Sequence, residues 1–89
     1  MDELKKIRDE IDTIDFQMAK LYEKRLQAVQ KVIQYKKDHH LPVLDAAREQ
    51  AILERNAGWV DAEFSQSYKN FQKHVMDESK RFQEKEIRE

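Results

Sequence analysis

Two groups of polar residues stand where the sequence pattern calls for oily ones, and a third lies beside them. Arg25 takes an a position in a heptad series otherwise made of Leu4, Ile11, Met18 and Val32. Beside that seam, on the e series, lie Arg8 and Lys36 together with Asp15, Tyr22 and Val29. Far along the chain, Ser79 interrupts an apolar stripe and Gln83 follows one turn later on the same face. A guanidinium on a packing seam is costly unless an anion meets it or its head snorkels to water. Arg25 and Lys36 are separated by about three helical turns, ~16 Å, so two long side chains leaning together can flank a small anion. Arg8 lies ~42 Å from Lys36 along a continuous helix, beyond the reach of any side chain. If Arg8 serves the same pocket, it must come from an antiparallel second copy.

These residues need long helices to position them. A companion d series of Ile7, Ile14, Leu21, Ala28 and Tyr35 completes a seam of more than four heptads, the mark of a helix packed lengthwise on another helix. The first helix is expected over about 2–38, capped by Asp2 and stopped in Asp38-His39-His40-Leu41-Pro42, because the residue before proline avoids helical dihedrals. A short second helix, about 46–56, follows the cap Asp45, with Ala47, Ala51 and Ile52 on its inner side and Leu53 and Asn56 beside them. Gly58, the single glycine, suits a left-handed C′ position, and Trp59 with Val60 reads as a lid on the junction. Asp61 can cap a third helix over about 62–85, with Phe64, Tyr68, Phe71, Val75, Ser79, Phe82 and Ile87 facing inward. The tail from Glu84 to Glu89 reads as a charged, solvated end.

Composition narrows the function classes. Eighty-nine residues make a single domain, and one Gly, one Pro and 39% charged residues leave little material for β-turns. Three helices form a thin core for so charged a chain, so the expected architecture is all-α, as an intertwined helical homodimer. With 17 Lys and Arg against 18 Asp and Glu, no global field favours nucleic acid or an anionic membrane. There is no cysteine, and His39, His40 and His74 lack a metal-ligand spacing, so no metal site is expected. Without a membrane-length apolar run or a signal peptide in the opening residues, the cytoplasm is the expected location.

The residues also match a family pattern. Leu4-x-x-x-Arg8-x-x-Ile11-Asp12-x-x-Asp15, Leu21-x-x-x-Arg25 and Lys36 are followed by Pro42-Val43-x-Asp45-x-x-Arg48-Glu49 and Glu78-Ser79-x-x-x-Gln83. In this order and spacing the chain resembles the all-helical, AroQ-type chorismate mutases in their stand-alone single-domain form. That resemblance implies an isomerase of the shikimate pathway that rearranges chorismate to prephenate for phenylalanine and tyrosine biosynthesis, with no cofactor. It implies Lys36, Gln83 and Arg25 as the catalytic set. Arg25, and Arg8 of the second chain, would bind the two carboxylates, and Lys36 and Gln83 would donate to the ether oxygen. Glu49 would accept the ring hydroxyl near the Asp45 backbone, and Arg48 and Ser79 would complete the polar shell. Two other readings stand beside it: an isochorismate pyruvate lyase on the same fold, which shares the cationic set although the Asp45-x-x-Arg48-Glu49 segment and Ser79 favour the mutase, and a helical dimerisation module in which Arg25 sets register but Ser79 with Gln83 has no role. Feedback control would need a separate regulatory partner.

Overall fold

The side chain of Asp2 accepts a hydrogen bond from the backbone N of Lys5 at 3.3 Å, and Glu3 stands in the first turn where the helix dipole favours an acid. From this start the first helix, α1, runs Glu3–His39. The computed structural model describes residues 2–88. Met1, ahead of the expected first helix, and Glu89, the end of the charged tail, lie outside the described residues. Two more α-helices follow, α2 (Ala46–Ala57) and α3 (Ser65–Arg88), with a short 3-10 turn at Ala62–Phe64 between them. The fold is all-α, with no strand among the described residues. No described helix is long and apolar enough to cross a membrane.

The helix ends follow local chemistry. α1 stops because His40 turns into the left-handed region, at φ 54° and ψ 44°. The backbone N of Leu41 then bonds Lys36 O at 2.9 Å, and that of His40 bonds Lys37 O at 3.4 Å, the two reversed bonds of a Schellman stop. The left-handed position therefore falls on His40 and not on Gly58, whose φ of −77° and ψ of −7° are right-handed. Gly58 needs no special dihedral, because α2 ends by tightening: Gly58 N bonds Arg55 O and Trp59 N bonds Asn56 O. Asp45 caps α2 through its side chain, which accepts from Arg48 N at 3.0 Å. Asp61 makes no side-chain cap bond. Its carbonyl accepts from Phe64 N instead, so the expected first turn of the third helix is the 3-10 turn, and α3 proper begins at Ser65.

α3 packs against both α1 and α2 and is the element they share. The molecule measures 56 × 28 × 15 Å, its long axis matching the ~55 Å of a 37-residue helix. Its radius of gyration of 16.4 Å exceeds the ~12 Å of a compact chain this long. One layer of helices has almost no interior, and among the described apolar residues only Ile33 and Met76 are buried. The seam residues Leu4, Ile7, Ile11, Ile14, Met18, Leu21, Val32 and Tyr35 are 44% to 62% exposed. Burial on α1 meets the seam only at Arg25 and otherwise falls on Leu26, Val29, Ile33 and Lys36, at helical spacing in its C-terminal half. The single chain thus satisfies one stripe of α1 and leaves the heptad seam open.

Two inner faces differ from expectation. On α2 the covered line is Glu49, Ile52, Leu53 and Asn56, while Ala47 and Ala51 are exposed. On α3 the buried line is Gln72, Met76, Ser79 and Gln83, rotated about one position from the aromatic line. Phe64 and Phe71 lie on the open side, whereas Tyr68, Val75, Phe82 and Ile87 are half-buried. Trp59 is 66% exposed, its ring 4.9 Å from the Arg55 guanidinium, so it is no lid on the junction, while Val60 is half-buried. Of the tail, Glu86 and Ile87 are half-buried, with Glu86 O accepting from Lys37 Nζ at 3.2 Å.

Candidate active site

Of the polar residues singled out by the pattern, five fall into two clusters, Glu49 and Asp45 have their own contacts, and Arg8 stands apart. In the first cluster, Lys36 of α1 donates through Nζ to Gln83 Oε1 of α3 at 3.2 Å and to Val43 O at 2.8 Å. Gln83 Nε2 donates to Ser79 Oγ at 3.1 Å, one turn back on α3. Ser79 and Gln83 are 6% and 8% exposed, so this pair belongs to the interior of the molecule and not to a loosened helix end. An ammonium carries three N–H donors and a primary amide two. Lys36 spends two of its donors on Val43 and Gln83, and Gln83 spends one on Ser79. One donor of each remains without a partner among the described residues.

In the second cluster, Arg25 and Arg48 line a groove of about 980 Å³ between α1, α2 and α3. Its walls are otherwise mostly apolar, with Leu21 and Tyr22 from α1, Ile52 from α2, and Tyr68, Phe71 and Val75 from α3. Nη1 of Arg25 is buried and has no hydrogen-bond partner among the described residues. A buried donor left unpaired costs about 1–3 kcal/mol, and more when it belongs to a cation. The site is thus poised for an anionic group small enough to enter a groove.

Glu49 faces α3 and is already engaged. Its Oε2 lies 3.1 Å from Lys80 Nζ, which also stands 3.4 Å from Asp77 Oδ1. The pairing with Glu49, assisted by Asp77, holds the Lys80 ammonium above the usual lysine range against a smaller opposing effect of burial. Asp45 is structural in its visible contacts: its side chain caps α2, and its carbonyl accepts from Glu49 N at 3.0 Å. Arg8 is the outlier. It is exposed on the N-terminal half of α1, ~42 Å along the helix from Lys36, and the single chain does not bring it to either cluster.

Periodicity alone missed three features. Lys80 sits one position from Ser79, at the flank of the buried line, and its partner is 31 residues away. Val43 enters through its carbonyl, which carries no side-chain signature. A buried network joins α2 to α3, in which Gln72 Oε1 accepts from Asn56 Nδ2 at 3.2 Å and Tyr68 Oη at 2.7 Å, while Asn56 Oδ1 accepts from Arg55 Nε at 2.8 Å. Asn56 beside the inner side of α2 and Tyr68 on the inner face of the third helix were its visible signs.

Comparison with known proteins places the chain in a family. The model of the family described as chorismate mutase type II matches residues 7–84, most of the chain and every clustered residue above. The chain belongs to the chorismate mutase type II family. It is also similar to the T-protein of Haemophilus influenzae, with 41% identity over 54 residues. That match covers 61% of this chain but 14% of the T-protein, so the chain corresponds to a small part of that relative. No solved structure matches it. Chorismate mutases are isomerases, and the family match supports that activity for this chain.

Proposed function

We propose that this protein rearranges chorismate to prephenate in aromatic amino-acid biosynthesis, at a site shared between two antiparallel copies of the chain. The observation that carries the reading is the meeting of Lys36 and Gln83 at 3.2 Å, each with a donor to spare. In this pericyclic step the ether C–O bond breaks as a C–C bond forms within one molecule, with no proton transfer. The ether oxygen gains negative charge on the way, so an ammonium and an amide aimed at it favour the transition state over the ground state. Arg25 would take one substrate carboxylate, an anion suited to its unpaired buried Nη1. Arg8 of the second copy would take the other, holding the substrate in its folded, reactive conformer. Glu49 would accept the ring hydroxyl near Asp45, and Arg48 with Ser79 would complete the polar lining.

The open heptad seam supports the dimer. Eight large apolar side chains on one stripe are what a second α1 would cover, and antiparallel pairing would carry Arg8 of one copy toward the Lys36 end of the other. A cytoplasmic location is the setting proposed for such an enzyme. The test is to follow chorismate loss spectrophotometrically and identify the product. Prephenate is expected. Chorismate left unchanged would overturn the reading, and release of pyruvate from isochorismate in its place would assign the lyase reaction.

A further inference from the structure

Lys80 lies outside the set of residues considered so far as substrate contacts, yet its geometry is specific. Its Nζ stands 3.1 Å from Oε2 and 3.4 Å from Oε1 of Glu49, so it meets both oxygens of a carboxylate on another helix. The two side chains are each 27% exposed, enough to limit screening by water. Asp77 flanks Lys80 at 3.4 Å from one turn earlier on α3 and restricts where the ammonium can go.

Glu49 on its own would be poorly suited to the task proposed for it. An ionised carboxylate beside a dianionic substrate repels it, and a flexible glutamate pays rotamer entropy to hold one pose. A lysine bound to the same carboxylate addresses both difficulties. The Lys80 charge, shared with Asp77, offsets that of Glu49, so the carboxylate detracts less from the positive charge that Arg25, Arg48 and Lys36 present to the substrate. Two carboxylate oxygens offer about four acceptor sites, and one lysine leaves room for a hydroxyl.

We infer that Lys80 is a positioning residue, which neutralises and orients Glu49 so that it can accept the ring hydroxyl of the substrate. This inference rests on the chorismate reading above and on the role of Glu49 within it. Lys80 touches Glu49 and not the substrate, so its whole effect on turnover passes through that carboxylate. Removing Glu49 must therefore silence Lys80.

The experiment is a double-mutant cycle on kcat/KM for chorismate with wild type, Lys80→Met, Glu49→Gln and the double variant. Assays are run well below the melting temperature of each. Lys80→Met is expected to lower kcat/KM roughly tenfold, within the range for coupled neighbours, and to have no further effect in the Glu49→Gln background. Lys80→Arg, which restores a cation, is expected to recover most of the loss. Should Lys80→Met fail to fold, Lys80→Gln supplies the neutral variant. Equal losses from the Lys80 change in both backgrounds, or a fall in melting temperature with kcat/KM unchanged, would overturn the role of Lys80 while leaving the chorismate reading intact. A wild type without turnover would overturn both.

Discussion

Lys36 and Gln83 are 47 residues apart in sequence and 3.2 Å apart in space, an ammonium donating to an amide oxygen at the contact of α1 with α3. A neutral amide keeps its N–H donors at every physiological pH, whereas a carboxyl donates only when protonated. In Gln83→Glu, Lys36 would favour the anion, while burial and the bound dianion would favour the acid. With substrate present the second pair dominates. The variant is expected to turn over chorismate at acidic pH and to lose kcat as pH rises, where wild type stays flat. A pH–rate profile checks this, and a flat profile for the variant near the wild-type rate at about pH 8 would detach Gln83 from the breaking bond.

Arg25→Leu separates stability from activity. It removes a buried guanidinium nitrogen that has no partner among the described residues and places a good apolar residue at an a position. Thermal melting is expected to show stability retained or raised by about 1 kcal/mol. Turnover is expected to fall ~10²-fold or more, since a preorganised charge contact to substrate is lost. Near-normal kcat/KM would make Arg25 a structural residue only.

Mixing inactive Arg8→Ala with inactive Lys36→Ala tests the shared site. A heterodimer would hold one site with both lesions and one with neither. Activity in the mixed dimer should recover toward half that of wild type. Subunit exchange without any recovery would place Arg8 outside the site.

The Asn56–Gln72–Tyr68 network should behave as a unit. Gln72→Leu leaves the Asn56 amide and the Tyr68 hydroxyl without their acceptor, at a cost of about 1–3 kcal/mol. Adding Asn56→Leu should cost less than the two single changes summed, because the second removes one of the groups that the first stranded. Urea denaturation of the four proteins gives the coupling, and strict additivity would refute it.

His40→Gly should raise stability by up to about 1 kcal/mol, because a left-handed φ of 54° strains any residue with a Cβ. Differential scanning calorimetry reads the shift. A loss of stability would mean that contacts of the His40 ring outweigh the backbone strain.

How much of this could be read from sequence depended on whether a feature is local. The caps at Asp2 and Asp45 were legible, because each acts on a backbone N three residues away. So were the open seam and the misplaced polarity of Arg25, Ser79 and Gln83, which show as breaks in a helical period. The rotation of α3 was not. Its aromatic line looks like the inner one, yet Gln72, Ser79 and Gln83 are buried because polar partners from α1, α2 and α3 itself satisfy them. Periodicity reports which face is apolar and not which face another element can satisfy by hydrogen bonds. The Glu49–Lys80 pair escaped for the same reason, and so did the exposure of Trp59, which depends on where Arg55 lies.

The two halves of α1 differ in what covers them within the chain. Every residue from 3 to 24 is exposed, while residues 25–36 contain the line that packs within the chain. Helices in proteins draw most of their stability from tertiary packing, so the first half depends on what covers its seam. Amide hydrogen exchange should therefore divide one continuous helix in two. Protection beyond Arg25 would be set by the fold of the chain itself, and protection before it would grow with protein concentration as copies pair. Dilution would then melt the turn that carries Arg8 before it disturbs the one that carries Lys36.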